Sequence, residues 1–128
     1  MMTFEDLEAL VAKHIDLIEI TSVAISESRS RAAIFLVVQA HLANHLKLLD
    51  DVRAKSTTIQ NATYAQALMS QSGKNVTENK INAEADPVYS NAREGVELIE
   101  AEHNWTKRHF EIFDNAHVMF RQISAQQS

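Results

Sequence analysis

The sequence predicts an all-α protein: a long antiparallel helical hairpin, coiled-coil-like, with a short elbow helix at its turn and an N-terminal helix in front. Three observations predict it. Two glycines and one proline in 128 residues are too few punctuating residues for a sandwich, a barrel or a doubly wound sheet, which need a turn every 8–12 residues or so. Apolar residues recur three and four apart over long stretches, the period of an amphipathic helix. Between about Arg31 and Gln71 no glycine or proline interrupts the chain. One domain fits this length, 1–128, divided as an acidic N-terminal helix over 1–28, a long helix over 31–72, an elbow helix over 77–85 and a second long helix over 87–124.

The first helix starts at Thr3, a capping residue, with Glu5 and Asp6 in the first turn, where the helix dipole favours anions. Phe4, Leu7, Leu10, Val11, Ile15 and Ile18 form its apolar stripe. The pattern loosens at Thr21-Ser22, and the polar, short-chained stretch Ser26–Ser30 fits a break. The second helix carries the run Ile34-Phe35-Leu36-Val37-Val38, apolar all round and so expected to be buried on several sides. Beyond it Leu42, His45, Leu49, Val52, Ile59, Ala62, Gln66 and Met69 thin to one stripe. Gly73 can take the left-handed cap that ends the helix. Thr77 is the expected cap of the elbow helix, with Val76 and Ile81 as its hydrophobic staple. Asp86-Pro87 then reads as a cap followed by proline at the first helical position.

The last helix carries the strongest period. Tyr89, Ala92, Val96, Ile99, His103, Thr106, Phe110, Phe113, His117 and Phe120 alternate steps of three and four without a slip. At 1.5 Å per residue the long helices are each about 57–60 Å long. A turn near residues 74–85 pairs positions whose numbers sum to about 158, which sets His117 opposite His41 and Phe113 opposite His45. Two such helices and a short third leave apolar surface over, so a homo-oligomer is expected, with Ile34, Val38, Val96, Ile99, Phe110, Phe113 and Phe120 at its interface. The competing arrangement is a compact helical monomer.

The formal net charge of −5 is concentrated at the front. Residues 1–28 carry six acidic groups against Lys13 alone, and residues 29–128 balance. The acidic segment reads as a solvated helix or a partner-docking element. No cysteine is present, which removes disulfides, thiolate metal sites and cysteine nucleophiles and fits a reducing compartment. The longest apolar run, Ala32–Val38, is about a third of what spans a bilayer, and the acidic N-terminus lacks the cationic start of a signal peptide. A cytoplasmic protein with no membrane contact is expected.

No serine lies in a Gly-flanked elbow and no Gly-rich phosphate loop exists, so no catalytic residue and no cofactor are assigned. His41 and His45, Asp114 and His117, and Glu100-x-x-His103 have helical ligand spacing. The second motif copy and the further glutamates of a di-iron bundle are missing, and no metal site is expected. Seam histidines that set register fit better. The basic residues Lys47, Arg53 and Lys55, mid-way along the second helix, and Lys107 and Arg108, mid-way along the last, form a cluster under the same pairing. Trp105 beside them could stack on a base. That constellation is the candidate nucleic-acid site, and an oligomer would multiply it.

The order of a long helix, Ser72-Gly73-Lys74-Asn75, Val76-Thr77-Glu78, Asp86-Pro87-Val88-Tyr89 and a long final helix with Arg121 near its end resembles small helical phage proteins of the recombination-mediator type, the UvsY-like group. The resemblance spans roughly residues 30–124. It implies a ring-forming homo-oligomer of phage DNA metabolism, working in the host cytoplasm. It also implies that the protein binds single-stranded DNA, remodels the single-strand-binding protein and loads a RecA-like recombinase, without catalysis. Two other readings fit the composition: an acidic helical chaperone or adaptor that binds one protein, and a phage inhibitor of a host nucleic-acid enzyme.

Overall fold

The structure, a computed structural model, describes residues 2–19, 25–73 and 75–125, the side chains of Ile25 and Ser26 excepted. The described residues form four α-helices and no strand. They are α1 (Phe4–His14), α2 (Ile25–Met69), α3 (Val76–Glu84) and α4 (Pro87–Ala125), with a 3-10 turn, Ile15–Ile18, after α1. The helical hairpin is there: α2 packs against α4. Its caps are local chemistry. Thr3 accepts from the Asp6 amide at 3.1 Å and Asp6 accepts from the Thr3 amide at 3.0 Å, a reciprocal capping box. Asp86 accepts from the amides of Val88 and Tyr89 at 2.9 and 3.2 Å, with Pro87 as the first helical residue.

Three boundary expectations are corrected. The break expected over Ser26–Ser30 is helix, because Ser28 is completely buried and Arg29 donates to the buried Ser124 at 3.5 Å; packing overrides the weak propensity of serine. Thr21-Ser22 lie outside the described residues. The cap of α3 is Asn75, not Thr77: its side chain accepts from the Glu78 amide at 2.8 Å, and asparagine ranks above threonine as a cap. Gly73 is not left-handed. Its amide donates to Asn79 Oδ1 at 2.8 Å, and a Cβ there would lie 2.5 Å from that oxygen, so a side chain at this position would displace the Asn79 amide and its hydrogen bond.

The chain divides into two compact units. The first comprises Met1–Lys47 and Trp105–Ser128, the second Leu48–Asn104. The first has an aromatic core. Leu7 and Val11 of α1, Phe35, Val38 and Leu42 of α2, and Phe113 and Phe120 of α4 are buried, most of them completely. The Phe35 ring lies 5.7 Å from Phe113 and 5.2 Å from Phe120. Polar links surround this core. Gln39 donates to Asp114 at 2.8 Å, and Arg31 ties the 3-10 turn to α2 through the carbonyls of Leu17 and Glu19 at 3.0 and 3.2 Å.

In the second unit the buried apolar residues are Leu49, Ala67, Ala83 and Val96, joined by the Tyr64–Tyr89 ring pair at 5.1 Å. On α4 the heptad expectation holds throughout: none of its ten residues is exposed. On α2 it fails beyond Leu49. There the residues turned inward are Arg53, Ser56, Gln60, Thr63 and Ala67, while Val52, Ile59 and Met69 face out at 37 %, 58 % and 85 % exposure. The reason is phase. Phe35, Leu42 and Leu49 lie seven apart, and further steps of seven reach Ser56 and Thr63, whereas the apolar residues downstream are displaced round the helix.

Candidate nucleic-acid interface and exposed rows

In the first unit Lys47, Lys107 and Arg108 are all exposed. The register that sets Gln39 against Asp114 brings position 47 alongside 106, so the three cations share one stretch of this unit. Trp105 is half-buried. Its ring centroid lies 5.1 Å from that of Phe4 of α1, the two rings nearly perpendicular, and 4.1 Å from that of His109, with His109 Nδ1 donating to the Trp105 carbonyl at 2.8 Å. His45 stacks on Phe4 at 5.7 Å. The expected base-stacking side chain is thus a packing residue that holds α1. In the second unit Arg53 is half-buried and pairs with Asp50 at 3.4 Å, and Lys55 is exposed. The five cations fall in two units, three in the first and two in the second.

The expected interface residues are corrected in part. Val38, Phe113 and Phe120 are covered by their own chain in the first unit, and Val96 is 7 % exposed in the second. The alternation of three and four that marked them is the intramolecular seam. Ile34, Phe110 and Ile99 are half-buried. Apolar surface is left elsewhere: Leu36 and Val37 in the first unit, and Leu48, Val52, Ile59, Met69, Val76, Ile81, Val88 and Leu98 in the second are exposed. Continuing the seven-residue step from Phe35 through Leu49 is the signal in the sequence that separates these rows from the seam.

The histidines are engaged in packing. His117 Nδ1 donates to the Ala32 carbonyl at 2.9 Å, not to His41, because the true register is tighter than the expected one: the residue numbers of Gln39 and Asp114, of Asp50 and His103, and of Tyr64 and Tyr89 each sum to 153. His103 Nε2 donates to Asp50 at 3.0 Å, and Asp114 accepts from Gln39. Among the described residues no three His, Asp or Glu side chains converge as for a metal ion. One stretch of the helix over Glu27–Met69 is long and apolar enough to cross a membrane by length and composition, a property shared with core helices.

Fold and surface together define the class: an all-α helical hairpin with exposed cations and exposed apolar rows. Comparison with protein-family models, with curated proteins and with solved structures found no match to this chain.

Proposed function

We propose that this protein is a non-catalytic, homo-oligomeric recombination mediator that holds single-stranded DNA and helps a RecA-like recombinase displace the single-strand-binding protein. It would do so in the cytoplasm of a phage-infected cell. The observation that carries the reading is the exposed trio Lys47, Lys107 and Arg108 on the unit with the aromatic core. The elbow from Ser72 to Tyr89, which resembles that of the mediator group, supports it. Three cations per copy make a weak phosphate site, and several copies make a useful one.

Titration of labelled oligo-dT followed by fluorescence anisotropy tests this reading. Binding at 50 mM salt that weakens steeply by 200 mM is expected, and Lys107→Glu with Arg108→Glu should abolish it. No binding at 50 mM salt and tens of micromolar protein overturns it.

A second reading, an acidic helical adaptor that binds one protein, is favoured by Trp105. Its ring is spent on Phe4 and His109, while apolar side chains elsewhere face solvent. Pull-down of one stoichiometric protein by a chain that ignores oligo-dT would select it.

A further inference from the structure

On α2 within the second unit, Leu48, Val52, Lys55, Ile59, Ala62, Gln66 and Met69 are spaced 4, 3, 4, 3, 4 and 3, and every one is exposed. This is an unbroken heptad seam, the pattern of a helix that packs along a partner helix. Among the described residues nothing covers it, because the inward face of this stretch is the row Leu49, Arg53, Ser56, Gln60, Thr63 and Ala67. We propose that a second copy of this chain covers the row, α2 against α2, antiparallel. The proposal rests on the oligomeric half of the function proposed above and names its contact.

The row is complementary to itself in one direction only. Antiparallel layering sets a residue against the one that brings their numbers to 121. Ile59 then meets Ala62 of the second copy, Lys55 meets Gln66, and Val52 meets Met69: branched against small, cation against amide, apolar against apolar. By symmetry each layer forms twice. Parallel layering sets Lys55 on Lys55 and Ile59 on Ile59, a like-charge contact inside the seam. Reversing the direction removes that repulsion without changing a residue. The row is about 32 Å long. Alone it falls short of the roughly 1,600 Å² of a standard interface, so dissociation in the micromolar range is expected.

Light scattering on size-exclusion fractions from about 1 to 200 µM, with circular dichroism as the control for folding, tests the proposal. The wild type is expected to double in mass as concentration rises. Ile59→Glu, at a position 58 % exposed, should keep its helicity and stay monomeric. Gln66→Glu decides direction: antiparallel layering places the new carboxylate against Lys55 of the second copy and tightens the dimer roughly threefold, whereas parallel layering weakens it. Because the chain has no cysteine, an oxidised mixture of I59C and A62C proteins should give mixed disulfides in excess over like-with-like ones.

A wild type monomeric at 200 µM overturns both the proposal and the oligomeric half of the function. An oligomer that survives Ile59→Glu, or that Gln66→Glu weakens, overturns the proposal and leaves the function standing. Loss of oligo-dT binding in a chain that still dimerises overturns the DNA reading alone. A wild type that stays monomeric and floats with phosphatidylcholine vesicles through this row replaces the second copy with a lipid surface.

Discussion

Leu42 and Leu49 are one heptad apart on α2, both buried, and belong to different units. Leu42 joins three phenylalanines and two α1 side chains in a continuous core. Leu49 has far less: the other buried apolar residues of its unit are two alanines and Val96. The same helix therefore does two jobs. Over the first unit Phe35, Val38 and Leu42 are turned in, although Leu36 and Val37 face solvent; over the second, Ser56, Gln60 and Thr63 are turned in while Val52, Ile59 and Met69 are turned out. Burial of apolar area is the main driving force of folding. A stretch that inverts this arrangement is held by its caps, its tyrosine pair and its continuity with the better-packed stretch.

The sharpest way to break that comparison is to truncate both leucines. Leu42→Ala is expected to cost about 4 kcal/mol and Leu49→Ala about 2 kcal/mol, because a cavity among aromatic neighbours forfeits more contacts than one beside alanine and polar groups. Guanidinium unfolding measures both, and equal costs would show the second unit to be as tightly packed as the first.

Next in size, Asn75→Ala removes the side-chain acceptor from the Glu78 amide and should cost about 1 kcal/mol. In a unit with so little core the loss should appear locally, as faster amide exchange over residues 76–84 with little change at Phe35 or Phe113. A uniform change across both units would contradict the division.

The smallest effect concerns the cap of the first unit. The Thr3 amide and hydroxyl hold the Asp6 carboxyl below its ordinary value of 3.8. A depressed carboxylate contributes stability above the unfolded value and loses it as pH falls through the folded one. Fraying of α1 should therefore begin below about pH 4 and be confined to its first turn, since Leu7 and Val11 remain buried. Amide shifts of residues 4–7 followed by NMR between pH 5 and 2 check this, and Thr3→Ala, which removes the hydroxyl and keeps the amide, should reduce the pH dependence without abolishing it.

What could be read from the sequence was what neighbouring residues decide. Thr3 with Asp6, Asp86 with Pro87, and the ten-residue heptad of α4 involve partners within a turn or a single helix, and all stand in the structure. The register between α2 and α4 differs from the sequence expectation, pairs summing to 153 in place of about 158, because it depends on how much chain the elbow consumes, and that follows from Asn75 capping in place of Thr77 and from Gly73 closing on Asn79. The candidate site suffered from the same dependence. Arg53 pairs with Asp50 one turn back on its own helix, a contact its spacing allows, whereas Trp105 is taken up by Phe4 of α1, which no local spacing announces. Side chains chosen for their own chemistry are legible one at a time, but which of them remain at liberty is a property of the packed whole.

Trp105 is the chain's sole tryptophan, and its ring packs against Phe4 on one helix and His109 on its own. The molecule thus carries an intrinsic optical reporter on the docking of its acidic N-terminal helix: emission that reddens and becomes open to acrylamide quenching would register the departure of Phe4, with no dye attached.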